Sequence, residues 1–255
     1  MKKIFKTSVA VAMTICMAAA MTACGGSSSA SSAAPAASEP AAEAAEAAPA
    51  GGAIKIGGSG PLTGGAAVYG QAVKNAAEIA VEEINAKGGQ QFELKFEDDA
   101  HDPEKAVSAY GVLKDWGMQV SLATVTSSPG AAVAPSYAED KIFAITPSGS
   151  SPSVVFADPD NKSGAYGNVF QMCFTDPNQG SASATYIKEH EALGTQVAII
   201  YKNDDNYSKG IRDTFVATAQ EIGLAVVSEG TFDDSNAQDF TVQLGQAKDA
   251  GADIV

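Results

Sequence analysis

Short apolar runs and helically spaced segments take turns along this chain from residue 54 to its last residues, and no other feature narrows the fold so far. Residues 54–58 form an apolar run suited to a strand. Val73, Ala76, Ala77, Ala80, Val81 and Ile84 then recur at helical spacing before Gly88-Gly89 closes the segment. Phe92, Leu94 and Phe96 alternate with Glu93, Lys95 and Glu97, as in a half-covered strand. Pro103 after Asp102 predicts a capped helix to about Trp116. Residues 120–125 and 142–145 read as strands, with a helix over 129–140 between them. Beyond a loop rich in Ser, Pro, Asp and Gly the order resumes, with strands at 169–174, 197–201 and 225–228 and helices at 177–191, 208–222 and 237–250. This alternation predicts an α/β fold with mostly parallel sheets flanked by helices. Val197-Ala198-Ile199-Ile200 lacks alternation, which predicts a strand covered on both faces. The composition break over residues 148–167 predicts a boundary between two lobes, the first α/β lobe spanning 53–174 and the second 175–255. Asp253-Ile254-Val255 reads as the start of a buried strand, so the second lobe is expected to be incomplete and the chain truncated.

The first 52 residues are of another kind. Lys2, Lys3 and Lys6 precede an apolar run over 9–20 that is too short for a stable span, and Met21-Thr22-Ala23-Cys24 follows. Residues 1–23 therefore read as a lipoprotein signal, with cleavage before Cys24 and lipidation of that cysteine. An ordinary signal peptide with an incidental cysteine is the plainer alternative, and the small residues on both sides of Cys24 favour lipidation. Residues 24–52 are almost wholly Gly, Ser, Ala, Pro and Glu, so they cannot bury enough apolar surface to offset ordering entropy. They are expected to form a disordered tether. The predicted location is the extracytoplasmic face of a bacterial cell membrane, in the periplasm or at the cell surface, held by a lipid anchor.

The formal charge is −14, and loss of a signal carrying three lysines and no acid takes it to about −17. Nucleic acid is excluded as a partner on that ground. Cys16 leaves with the signal and Cys24 is lipidated, so Cys173 is alone and is expected to be a small core residue.

Several motifs begin and fail. After Gly58 and Gly60 a dinucleotide loop needs a third glycine where Thr63 stands, and a phosphate loop needs a lysine where Ala66 stands. Pro61 replaces the last glycine of a nucleophile elbow around Ser59. His190-Glu191 opens a zinc-protease motif whose second histidine would be Gly194, and Asn203-Asp204-Asp205-Asn206 lacks the glycine and closing glutamate of a calcium loop. Neither His101 nor His190 lies beside a nucleophile signature, so the reading is of a protein that is not an enzyme, with no cofactor and no metal.

Ligands of open parallel sheets bind beyond the carboxyl ends of the strands. There, Ser128 as cap and Pro129 at the first helical position leave backbone N–H groups free, so Ser127 and those amides either cap a helix or bind a carboxylate. Thr146-Pro147-Ser148-Gly149-Ser150-Ser151 can supply the opposite hydroxyls. Asp176 before Pro177 is either another cap or a partner for an ammonium, and Tyr69 and Tyr207 either wall a pocket or are ordinary exposed loop tyrosines.

Ser59-Gly60-Pro61-Leu62-Thr63-Gly64, Tyr69-Gly70, Asn85-Ala86-Lys87-Gly88-Gly89, Asp98-Asp99-Ala100-His101-Asp102-Pro103, Ile145-Thr146-Pro147 and Asp176-Pro177-Asn178-Gln179-Gly180 follow the order found in type I periplasmic binding proteins. The chain resembles the branched-chain amino-acid (Leu/Ile/Val) group of ABC-transporter substrate-binding proteins over its whole globular part. The resemblance implies two lobes closing on a small-molecule amino acid, delivery to an ABC permease in the membrane, and action as a monomer. It places Ser127 and Ser150 on the ligand carboxylate with amides near Ser148, Asp176 on the amino group, and Tyr69 and Tyr207 along the pocket. Some relatives carry cysteines where this chain has His101 and Thr126, so their disulfide is absent here. The alternative of another class is a ligand-sensing module for a small amide or carboxylate.

Overall fold

The computed structural model describes residues 52–255. The signal segment, Cys24 and the tether as far as Gly51 lie outside the described residues. The predicted alternation is present. In chain order the elements are β1 (Ile54–Gly60), α1 (Ala67–Ala86), β2 (Phe92–Asp98), α2 (Pro103–Trp116), β3 (Val120–Thr124), α3 (Ser127–Asp140) and β4 (Phe143–Thr146). A short antiparallel ribbon, β5 (Phe156–Asp158) with β6 (Ser163–Ala165), precedes β7 (Val169–Gln171). Then come α4 (Asp176–Glu189), β8 (Gln196–Lys202), α5 (Asn206–Ile222), β9 (Ala225–Phe232) and α6 (Thr241–Asp249).

The first sheet is parallel throughout and runs β2-β1-β3-β4-β7. Each parallel neighbour requires a crossover, which the helices supply. β8 and β9 form a second parallel pair, and Ile254 bridges Val197 on the free side of β8. The order β9-β8-Ile254 thus repeats β2-β1-β3.

Each sheet has its own apolar core. Under α2 and α3 lie Ala106, Tyr110, Leu113, Val133 and Tyr137, and under α4 and α5 lie Ala184, Val197, Phe215 and Ala219. Leu113 is wholly buried, worth about 1.5–3 kcal/mol against exposure. The polar ends of the two tyrosines are satisfied. Tyr110 donates to Asp140 Oδ2 at 2.5 Å, and the Tyr137 hydroxyl lies 2.8 Å from Ser121 Oγ.

Four expectations change. Residues 148–167 do not part the sheets, because after a 3-10 turn at Pro152–Val154 and the β5–β6 ribbon the chain returns to lay β7 beside β4. The strand expected to reach residue 174 stops at Gln171, whose amide nitrogen instead donates to Gly149 O and Ser151 O. The helix expected from residue 237 starts at Thr241, because side chains of Asp233, Asn236 and Asp239 bond nearby backbone N–H groups and compete with helix formation. Val197 and Ala198 are buried, but residues 199–202 are only half-buried, so β8 is not covered on both faces along its length.

Candidate functional site

The two sheets point the carboxyl ends of their strands at one cleft of about 420 Å³. Ala66 and Tyr69 follow β1, His101 follows β2, Thr126 and Ser127 follow β3, Ser148 and Ser150 follow β4, and Asp205 and Tyr207 follow β8. Five of the six side chains expected to meet a ligand line this space: Tyr69, Ser127, Ser148, Ser150 and Tyr207. Asp176 does not. It is wholly buried behind the wall, its backbone N–H donating to Ser150 O at 3.1 Å.

Backbone irregularity concentrates where the strands empty into the cleft. Between Gly57 and Ser59, β1 slips against β3, which carries one extra residue, and Ala123 there has φ 51°. A bulge of this kind re-aims the following residues, here Val125 to Ser127. After β2, Ala100 (φ 48°) and His101 (φ 64°) take the left-handed conformation in succession. Asp99 holds this turn, its two oxygens accepting from His101 N and Ser59 Oγ at 3.0 and 3.1 Å. Burial pushes the Asp99 carboxyl up even so.

The hydroxyls differ in what they have left to offer. Ser127 Oγ accepts from both Ser150 N and Ser151 N, each at 3.2 Å, so its lone pairs are engaged and its proton remains available to an acceptor in the cleft. Ser148 Oγ donates to Val125 O at 2.6 Å, so its proton is committed. Ser128 is not the cap of α3. Thr126 occupies that position without a side-chain bond, while Ser128 Oγ donates to Asp205 Oδ1 and accepts from Asn206 N, both at 3.1 Å.

Asp176 is not a cap either. The cap of α4 is Thr175, whose hydroxyl accepts from Asn178 N, and Asp176 stands one place inside with neither carboxylate oxygen hydrogen-bonded. Burial pushes its carboxyl up to about 6; the neighbouring Ser150 hydroxyl opposes the rise and the Asp205 carboxylate adds to it. A buried carboxylate so poorly supplied with donors is destabilising when ionised, which favours its protonated form. Asp205 is the contrary case. Its burial is more than offset by His101, Ser208 N and Ser128, which hold it below the usual carboxylate range. Asp205 Oδ2 accepts from Ser208 N at 2.9 Å, capping α5, and the ring of His101 stands 3.5 Å from Oδ1.

His101, Thr126 and Asp205 were not singled out as cleft residues by sequence reasoning, although the strand ends that carry them were. His101 Nδ1 and Thr126 Oγ1 are buried without partners. Cys173 is half-buried on the cleft wall and not a core residue, its thiol pushed up by burial. Tyr207 donates from its hydroxyl to Gln179 Oε1 at 3.3 Å, and Tyr69 is largely exposed.

Residues 53–255 match the model of the periplasmic binding protein family. The Leu/Ile/Val-binding protein homolog 3 of Brucella melitensis is 33% identical over 205 residues, 79% of this chain and 53% of the relative. The crystal structure of a leucine-binding protein, LivK, from Thermotoga maritima superposes with TM-score 0.69 at 28% identity, covering 79% of this chain and 55% of that one. A periplasmic binding protein type 1 from Bordetella pertussis gives TM-score 0.70 at 28% identity, covering 80% and 55%. The chain belongs to the periplasmic binding protein family and has the type I fold. It spans about half the length of the relatives it matches.

Proposed function

We propose that the protein is a solute-binding protein that captures a free amino acid, leucine, isoleucine or valine, and presents it to an ABC permease. The observation that carries this reading is the unspent proton of Ser127, fixed by two backbone N–H bonds at the first turn of α3, in a cleft shared by two sheets. A helix start with a free hydroxyl and free amides suits a carboxylate. The buried, unpartnered Asp176 supplies the complementary charge for an ammonium once it turns out past Ser150. Ser148 then serves through its backbone and not its committed hydroxyl, and Tyr69 and Tyr207 flank the aliphatic side chain. The names of the Brucella and Thermotoga relatives support the choice of ligand.

In this proposal residues 53–174 and 175–255 belong to two lobes, and ligand contacts shared between them favour a closed form that the permease reads. The protein works as a monomer without cofactor and catalyses no reaction. It sits on the extracytoplasmic side of the membrane, anchored through a lipid on Cys24.

A thermal-shift series on the full-length protein tests the ligand. Leucine, isoleucine or valine at 100 times its Kd should stabilise by about 2.7 kcal/mol, and silence across all amino acids at millimolar concentration overturns the amino-acid assignment.

A further inference from the structure

Apart from the backbone bond of Asp176 to Ser150, the polar contacts that join the loops of the two sheets, among the described residues, converge on Asp205 and Asn206. The Asp205 carboxylate accepts from Ser128 of α3 at 3.1 Å and faces His101 of the β2–α2 loop at 3.5 Å. Asn206 N closes a reciprocal pair by donating to Ser128 Oγ at 3.1 Å. Asp205 itself is fixed from behind, since Oδ2 caps α5 through Ser208 N.

We propose that Asp205 is the clamp of the cleft, a positioning residue that gathers Ser128 and His101 from two loops of the first sheet and so biases the protein toward the closed form, with or without ligand. The proposal rests on the reading of the cleft as a ligand site. Three features suit it to the task. Asp205 is only 6% exposed, so its hydrogen bond with Ser128 and its contact with His101 are made largely out of water. Its partners come from two separate elements, α3 and the loop after β2, so rotation of one sheet against the other breaks both together. Each contact is one that water can replace on opening, which keeps closure reversible, as a receptor that must release its ligand requires.

Asp205→Ser separates the clamp from the cap. Serine caps a helix about as well as aspartate but is too short to reach Ser128 and His101. In the full-length protein, stopped-flow binding of leucine should show dissociation roughly tenfold faster with little change in association. Ser128→Ala should act in the same direction, and the double variant should be no worse than Asp205→Ser alone, since both remove one arrangement. Dissociation within twofold of the wild type, or effects of the two substitutions that simply multiply, overturns the clamp. Small-angle X-ray scattering without ligand decides the matter independently of the ligand's identity. Asp205→Ser should enlarge the radius of gyration relative to the wild type, and an unchanged radius sinks the clamp even if leucine binds. A wild type that binds no amino acid refutes the functional reading and leaves the scattering comparison intact.

Discussion

Asp176 and Asp205 are both carboxylates buried at the amino ends of neighbouring helices, and their opposite titration shows how far environment outweighs residue type. Asp205 is held below the usual carboxylate range by Ser128, Ser208 and His101, whereas Asp176 has only the neighbouring Ser150 hydroxyl to set against its burial and is pushed up to about 6. Because the folded value of Asp176 exceeds its ordinary 3.8, the folded state binds the extra proton, so its contribution to stability falls as pH rises from about 4 to about 6. Asp176→Asn should remove that fall and raise ligand-free stability at pH 8 by about 1–2 kcal/mol while weakening amino-acid binding severely. Urea midpoints of both proteins across this pH range provide the check, and parallel curves count against an ionised, unpartnered Asp176. The spacing of residues around Asp176 and Ser128 looked like capping, but the caps are Thr175, one residue before Asp176, and Thr126, two residues before Ser128. A cap is decided by which side chain faces the first amides, and one residue of shift in the helix start reassigns it.

At the scale of elements, the run of strands and helices was legible because each buried face imposes its own period. Errors fell where a tertiary or local bond overrode that period: Gln171 turned to Gly149 and Ser151, and Asp233, Asn236 and Asp239 delayed α6. The packing of α4 on α5 depends on a residue that shows no period. A side chain at Gly180 would meet the backbone of Ile211 and lie 2.8 Å from Phe215 N, closer than real contacts allow. Gly180→Ala should therefore force the helices apart and destabilise by about 1–3 kcal/mol despite alanine's better helix propensity, measurable as a lowered urea midpoint. A stabilised variant would mean that α4 and α5 do not approach as closely as described. Gly210 plays the same part toward Asp176, whose Cβ stands 2.9 Å from where a side chain would begin.

For the whole molecule, two sheets with one repeated strand order bring loops from opposite ends of the sequence to one cleft. Attachment is tested at this scale. Expressed in a bacterial host, the wild type should fractionate with membranes, and Cys24→Ala should move to the soluble extracytoplasmic fraction; equal partitioning argues against the lipid anchor. The sequence by itself determined the α/β class and the strand ends whose loops line the cleft, because hydrophobic period and capping residues are local quantities. Only the tertiary structure decided that Ser127 keeps a proton to give, that Ser148 has spent its own, that Asp176 lies buried without a donor and that Asp205 bridges the sheets. Those are statements about partners tens of residues away in the chain, and hydrogen bonding across such distances leaves no period in the sequence to read.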